Sequence, residues 1–152
     1  MLSYRIPILQ LLFVSMALWT HTEALDPVHI TSNLNCDESV THWCAHLVLF
    51  EEDTAHNHDI LLKEFFCTTE NGRNFTWPPF YFGSIRDASP EYEFNYQLSH
   101  TCTSDGKPRC FTPEKAIDVS VLWDQYVHFH ANVFNAGKPN WCPHPNDKKI
   151  LI

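Results

Sequence analysis

The sequence predicts an all-β fold, a sandwich or barrel of short strands in a secreted, disulfide-bonded chain. Three observations carry this expectation. Apolar residues come in short runs separated by turn residues, the spacing of strands rather than of long helices. The segment "EYEFNYQLSH" alternates strictly, with Tyr92, Phe94, Tyr96 and Leu98 on one face and Glu91, Glu93, Asn95, Gln97 and Ser99 on the other, the pattern of a half-buried strand. Six cysteines follow an N-terminal leader pattern, and an even count in a secreted chain implies three disulfides.

The leader is residues 1–24. "MLSYR" supplies one base, Arg5. "IPILQLLFVSMALW" is apolar except at Pro7, Gln10 and Ser15, and "THTEA" is polar and ends in a small residue. This order reads as a cleaved secretory signal, cut after Ala24 with Thr22 at the −3 position. The rival, a signal anchor, needs ~20 apolar residues, more than the run holds. No later stretch could span a bilayer as a transmembrane segment. Removing 24 of the 152 residues leaves 128, enough for one domain with its own core. The leader takes one base (Arg5) and one acid (Glu23) with it, so the net charge stays at −8. That charge argues against nucleic acid as a partner and against general attraction to anionic membranes.

Along the mature part, "VHITSNL" (Val28–Leu34) alternates and "CAHLVLF" (Cys44–Phe50) is a nearly continuous apolar run of strand length. "ILLKEFFCT" (Ile60–Thr68) suits a strand or a short helix capped by Asn57, and periodicity does not choose between them. Asn71-Gly72 is a strong hairpin signal. "AIDVSVLW" (Ala116–Trp123) places Ile117, Val119, Val121 and Trp123 on one face, and "VHFHANVF" (Val127–Phe134) is a last strand. From Gly137 the chain carries Pro139, Pro143 and Pro145 and reads as mostly irregular. Domain limits follow: the sandwich over 25–138 and a C-terminal tail over 139–152.

Two clusters of residues could carry chemistry. "EEDTAHNHD" gathers Glu51, Glu52, Asp53, His56, His58 and Asp59, and "HFH" puts His128 and His130 on one face of a strand. Mixed oxygen and imidazole ligands would suit zinc better than calcium. Neither cluster has the spacing of a known metal loop, so solvated side chains are expected, with no metal and no cofactor. No serine lies in a Gly-x-Ser-x-Gly elbow, and six paired cysteines leave no free thiol nucleophile. A non-enzyme is therefore expected. Asn74-Phe75-Thr76 is a glycosylation acceptor in a turn-rich region, making the chain a candidate glycoprotein at Asn74. "FTWPPFYF" (Phe75–Phe82) holds five aromatics and two prolines. Exposed, its Trp77, Phe80, Tyr81 and Phe82 would form a recognition surface. Facing inward, the same rings would cover the edge of the sandwich.

The order of landmarks resembles the nematode transthyretin-like family of small secreted β-sandwiches. The family's strand ending in Cys is here "VHITSNLNC", its Leu-Tyr/Phe-Asp/Glu-Glu-Asp-Thr is "VLFEEDT", and its Asp-Leu-Leu-x-Glu is "DILLKE" with one residue inserted. The Asn-Gly turn is "TTENGRNF", the His-x-Cys and Gly-Lys-Pro loop is "SHTCTSDGKPRC", and the late Tyr and Phe-Asp-x-Gly are Tyr126 and "FNAG". The likeness spans about Val28 to Gly137. It departs at Ser32, where the family has Gly; at "DESVTHW"; at the additional Cys44 and Cys67; and at "KPNWCPHP" in place of an apolar last strand.

The resemblance implies a transthyretin-like β-sandwich of about seven to eight strands. It also implies an extracellular binding role with an extracellular protein, cell-surface or lipid-bearing partner. It makes Cys44–Phe50 and Ile60–Thr68 the arms of a hairpin. If Cys44 opposes Cys67 in that hairpin, the turn centres between Ala55 and His56, and the two cysteines are close enough to bond. Cys102 and Cys110 flank a loop with a tight Asp-Gly and are expected to pair, leaving Cys36 with Cys142; the chief rival joins Cys36 to Cys44. Hydroxyisourate hydrolases of the same fold end in Tyr-Arg-Gly-Ser/Thr, a tetrapeptide not found in "DKKILI", so their site is not carried over. The hormone-channel residues of transthyretin are not matched either. The runner-up function is carriage of a small hydrophobic ligand, which needs an apolar cavity.

Overall fold

A computed structural model of the chain describes residues 26–53, 57–82 and 90–147. The leader predicted over residues 1–24 and the hairpin tip at Ala55 and His56 lie outside them. The described strands are β1 (Pro27–Asn35), β2 (Trp43–Glu51), β3 (Asp59–Thr68), β4 (Gly72–Thr76), β5 (Phe80–Tyr81), β6 (Glu91–His100), β7 (Arg109–Phe111), β8 (Ile117–Ser120), β9 (Gln125–Asn132) and β10 (Lys138–Pro139). Ten strands replace the expected seven to eight because β5 and β10 are two-residue edge pairings built around prolines. No helix among the described residues is long and apolar enough to cross a membrane.

The strands form two sheets. In the smaller, β1 is flanked by β4 and β5 on one side and by β9, in parallel, on the other. In the larger, the order is β10-β7-β6-β2-β3, and β8 pairs with the start of β6. Period-two alternation explains the facing surfaces. Val28, Ile30 and Leu34 of β1 and Val127, Phe129 and Ala131 of β9 point inward, meeting Ala45, Leu47, Leu49, Phe94, Tyr96 and Leu98 of the larger sheet. Tyr96 meets Phe129 edge-on across this layer, ring centroids 5.0 Å apart.

The β2–β3 hairpin forms in the expected register. Cys44 opposes Cys67, and the pairing runs unbroken to Leu49 and Leu62 before a bulge shifts it by one residue. Ile60–Thr68 is thus a strand, not a helix. Asn71-Gly72 does not make a hairpin. The backbone N–H of Cys36 donates to the Asn71 carbonyl at 2.6 Å, and Gly72 pairs with Asn35 of β1, so the chain crosses here from the larger sheet to the smaller. A two-residue hairpin turn keeps both strands in one sheet; burial of Phe75 against Phe66 of the other sheet draws the chain across instead. The strand predicted to reach Trp123 stops at Ser120, and Trp123 itself has φ 69°.

Cys44–Cys67 is bonded as expected, whereas the other two pairings differ. Cys36 is bonded to Cys102 and Cys110 to Cys142. The Cys102–Cys110, Cys36–Cys142 and Cys36–Cys44 pairings are therefore corrected. The tight loop between Cys102 and Cys110 does form, with Gly106 at φ 67° and the Thr103 hydroxyl donating to the Lys107 carbonyl. It fails to join its flanking cysteines because of the pleat. Cys110 pairs with Ser99 and shares the outer face of the larger sheet, while Cys102 is fully buried on the inner side beside Cys36.

On the polar face of the half-buried strand β6, Asn95 and Ser99 are buried. The C-terminal segment lies over Ser99, whose Oγ accepts from the Cys142 N–H at 2.9 Å, while Asn95 donates to Glu52 Oε1 and to the Pro113 carbonyl. Asn146 fastens the far end by accepting from the His58 N–H and donating to its carbonyl. Gly137 makes this closure possible. It has φ 84°, and a Cβ there would sit 2.1 Å from the Cys110 carbonyl oxygen.

Candidate functional site

The acid-histidine stretch comes apart into separate structural contacts. Glu51 is buried at the end of β2, and Glu52 accepts from Asn95. His58 Nδ1 accepts from the Asp53 N–H at 3.0 Å, and its ring packs on Phe50. Asp59 is exposed, and His56 lies outside the described residues. His128 and His130 do share the outer face of the smaller sheet, where His128 Nδ1 lies 2.8 Å from Thr31 Oγ1. One group of three potential metal ligands lies together among the described residues, His42, Cys44 and Cys67, but its two sulfurs are bonded to each other.

The aromatic stretch divides. Trp77 stacks on Phe75 with centroids 5.4 Å apart, and Phe82 packs on Tyr92 and Phe94. Trp77, Phe80 and Phe82 are half-buried and cover the sandwich edge, and Tyr81 alone of the four is well exposed. Asn74 is exposed on the outer face of β4, opposite Asn33, whose Nδ2 donates to Asn74 Oδ1. The Nδ2 that a glycan would modify is the other atom of that amide.

A different set of exposed apolar side chains gathers around the start of β1. The parallel β1–β9 register places Tyr126 beside His29, and the two rings stack at 4.7 Å. The Trp123 N–H donates to Asp26 Oδ2 at 2.7 Å, which ties the β8–β9 turn to the residue before β1. Gln125 Nε2 donates to the Leu122 carbonyl, and the Leu122 N–H donates to Ser120 Oγ, so the turn is internally braced. Tyr81 joins from the other side through its pairing with Pro27. Tyr126 is 74% exposed, Trp123 77%, Tyr81 60% and Leu122 58%, values that mark side chains held outward rather than packed. Of these, sequence reasoning had found Tyr81 alone. A signal for Tyr126 was present, since it falls on the histidine side of the β9 alternation, where an aromatic ring has no core to join. Trp123 carried no such signal, because the alternation assigned it to the inner face.

Two clefts lie on the outer face of the larger sheet, either side of the C-terminal segment. One, of about 570 Å³, is lined by Phe50, His58, Gln97, Phe111, Lys138 and Pro143 among others; the second, of about 180 Å³, by His46, Lys63 and His144 among others. The larger cleft holds groups of both signs, Glu52, Glu114, His58 and Lys138, and the smaller holds His46, Lys63 and His144, with Lys63 Nζ 3.4 Å from His144 Nε2.

Among the described residues, His100 is the one histidine that is fully buried. Burial pushes its pKa below the ordinary 6.5, the bond to the Ala136 carbonyl works in the opposite direction, and nearby Arg109 lowers it further. Nε2 donates to Ala136 O at 3.0 Å, and Nδ1 has no partner among the described residues. A histidine whose folded pKa is depressed stabilises the fold above its unfolded value and loses that contribution as pH falls through the folded one. Unfolding free energy should therefore decline as pH drops below about 6.5, and His100→Gln should flatten part of that decline. Urea titrations of both proteins at a series of pH values would measure it; parallel pH dependences would disprove the assignment.

No curated protein and no solved structure matches the chain. Residues 31–145, well over half of the sequence, match the family described as "Caenorhabditis elegans protein of unknown function (DUF870)", and the chain belongs to that family.

Proposed function

We propose that the protein is a secreted nematode binding protein, a divergent relative of the transthyretin-like proteins, that acts by recognising an extracellular protein or cell surface and not by catalysis. The observation that carries this reading is the exposed aromatic end formed by Tyr81, Leu122, Trp123 and Tyr126. Rings of Trp and Tyr held rigidly outward are the side chains that dominate protein interfaces. Three disulfides suit an extracellular setting. The two-sheet fold and the β2–β3 hairpin agree with the motif order that suggested the transthyretin-like relation.

The test is binding of the oxidised, fluorescently labelled protein to intact nematode cells. Trp123→Ala combined with Tyr126→Ala is expected to weaken it by about 2 kcal/mol or more, roughly 30-fold in Kd. Unchanged binding by a folded double variant would reject the surface. Equal binding to protein-free phosphatidylcholine vesicles would assign a lipid surface in place of a protein. Carriage of a small hydrophobic molecule has one supporting observation, the cleft of about 570 Å³ beside Phe50 and Phe111, a volume within the ~300–1,000 Å³ of small-molecule sites. Displacement of an apolar fluorophore that persists in the same double variant would favour that second reading.

A further inference from the structure

The three disulfides differ in what surrounds them. Cys36 and Cys102 are buried between the sheets, and Cys110 and Cys142 are half-buried where the C-terminal segment meets β7. Cys67 is exposed on β3, at the edge of the larger sheet, and its partner Cys44 lies directly opposite on β2. Thiol–disulfide exchange proceeds by attack of a thiolate on an accessible sulfur, so this bond is the most open to a reductant. Cleaving it leaves the strands paired, since the β2–β3 ladder continues from Trp43–Thr68 through Glu51–Asp59 on backbone hydrogen bonds. The two thiols would stay face to face.

Exposed His42 completes the arrangement from the segment preceding β2. One imidazole nitrogen and both sulfurs lie within 4.8 Å of one another. Two thiolates and an imidazole are ligands that zinc takes, at about 2.3 Å for sulfur and 2.0–2.1 Å for nitrogen. Tetrahedral bonds of those lengths separate the ligand atoms by roughly 3.5–3.8 Å, inside the present envelope. The sulfurs need only move apart to that spacing once their bond is broken.

We infer that His42, Cys44 and Cys67 form a redox-gated zinc site, closed while the disulfide stands and opened by a small thiol reductant. In the opening step a dithiol transfers two electrons and two protons to the protein disulfide. The S–S bond breaks, two protein thiols form, and the dithiol leaves as its own disulfide. Zinc then displaces both thiol protons to solvent and binds two thiolates and the His42 nitrogen, with the fourth position left to water. The inference is independent of the aromatic end, which lies on the other sheet.

The test uses the full oxidised chain under native conditions. It is titrated with dithiothreitol, trapped with N-ethylmaleimide and mapped by peptide mass. Cys44 and Cys67 are expected to be labelled at reductant concentrations that spare the other four cysteines. Cobalt(II) added to the selectively reduced protein is expected to give the thiolate-to-metal charge-transfer and tetrahedral bands of one bound equivalent, removed by zinc. His42→Ala is expected to weaken cobalt binding by at least about tenfold, the loss that removing even an outer-shell partner brings, without changing the order of reduction. Simultaneous labelling of all three pairs, a cobalt spectrum lacking the thiolate band, or unchanged affinity in His42→Ala overturns the proposal.

Discussion

Replacing Cys36 and Cys102 together by alanine is expected to lower the unfolding free energy of the oxidised chain by about 4 kcal/mol. The bond spans 66 residues of sequence, and loop-closure entropy grows with the length closed. It also joins the end of β1 in the smaller sheet to the segment after β6 in the larger, so it staples two layers otherwise held by side-chain packing. Both cysteines are buried, and truncating them removes packing as well. Against a typical total of about 5–15 kcal/mol, such a loss brings a domain close to unfolding. The Cys44–Cys67 bond closes a shorter loop, 23 residues apart, within a hairpin that strand pairing already holds. Its removal is expected to cost less, because residual hairpin structure reduces the entropy it can withdraw from the unfolded chain. Urea unfolding of both double variants, extrapolated to water, makes the comparison. If the hairpin pair proves the costlier to remove, the interlayer bond is not the main staple.

The second large effect is expected at Trp43. Trp43→Ala should destabilise by about 3–5 kcal/mol. The side chain is fully buried at the start of β2, meets Phe66 edge-on at 5.2 Å, and donates from Nε1 to the Glu70 carbonyl at 2.9 Å. That hydrogen bond fixes the bend leading to Asn71, where the chain changes sheets. Loss of the ring would leave a cavity between the layers, and loss of the donor would loosen the crossing. Trp43→Phe keeps most of the apolar volume and removes the donor, so it should cost roughly 1–2 kcal/mol. Equilibrium unfolding separates the two contributions. An alanine variant less than about 1 kcal/mol weaker than the parent would mean that the site collapses without a cavity.

Much of the fold was legible because strands write their faces locally. β1, β2, β6 and β9 were each readable from a handful of neighbouring side chains, and Ile30, Phe94 and Phe129 point inward as their alternation requires. The Cys44–Cys67 opposition followed from the family resemblance, which made the two segments a hairpin where periodicity left Ile60–Thr68 open; within that hairpin the register is a matter of counting. The candidate site was less legible. Tyr81 was singled out, but its neighbours Trp77, Phe80 and Phe82 serve as cover for the core edge. Leu122 and Trp123 went unrecognised because their exposure depends on where β8 stops, whereas Tyr126 was legible in the β9 alternation, on the face of His128 and His130.

The sequence by itself determined the all-β class and the inward faces of β1, β6 and β9, because two-residue periodicity needs no knowledge of distant segments; the Cys44–Cys67 disulfide followed from the family resemblance that made its two flanks a hairpin. The tertiary structure alone decided three things: that Asn71-Gly72 crosses between sheets, that Cys36 meets Cys102 and Cys110 meets Cys142, and that Ser99 on the polar face of β6 is covered by the tail. The physical reason is shared. Each depends on which layer a segment joins after the chain returns from far away in sequence, and burial of apolar surface between the sheets makes that choice.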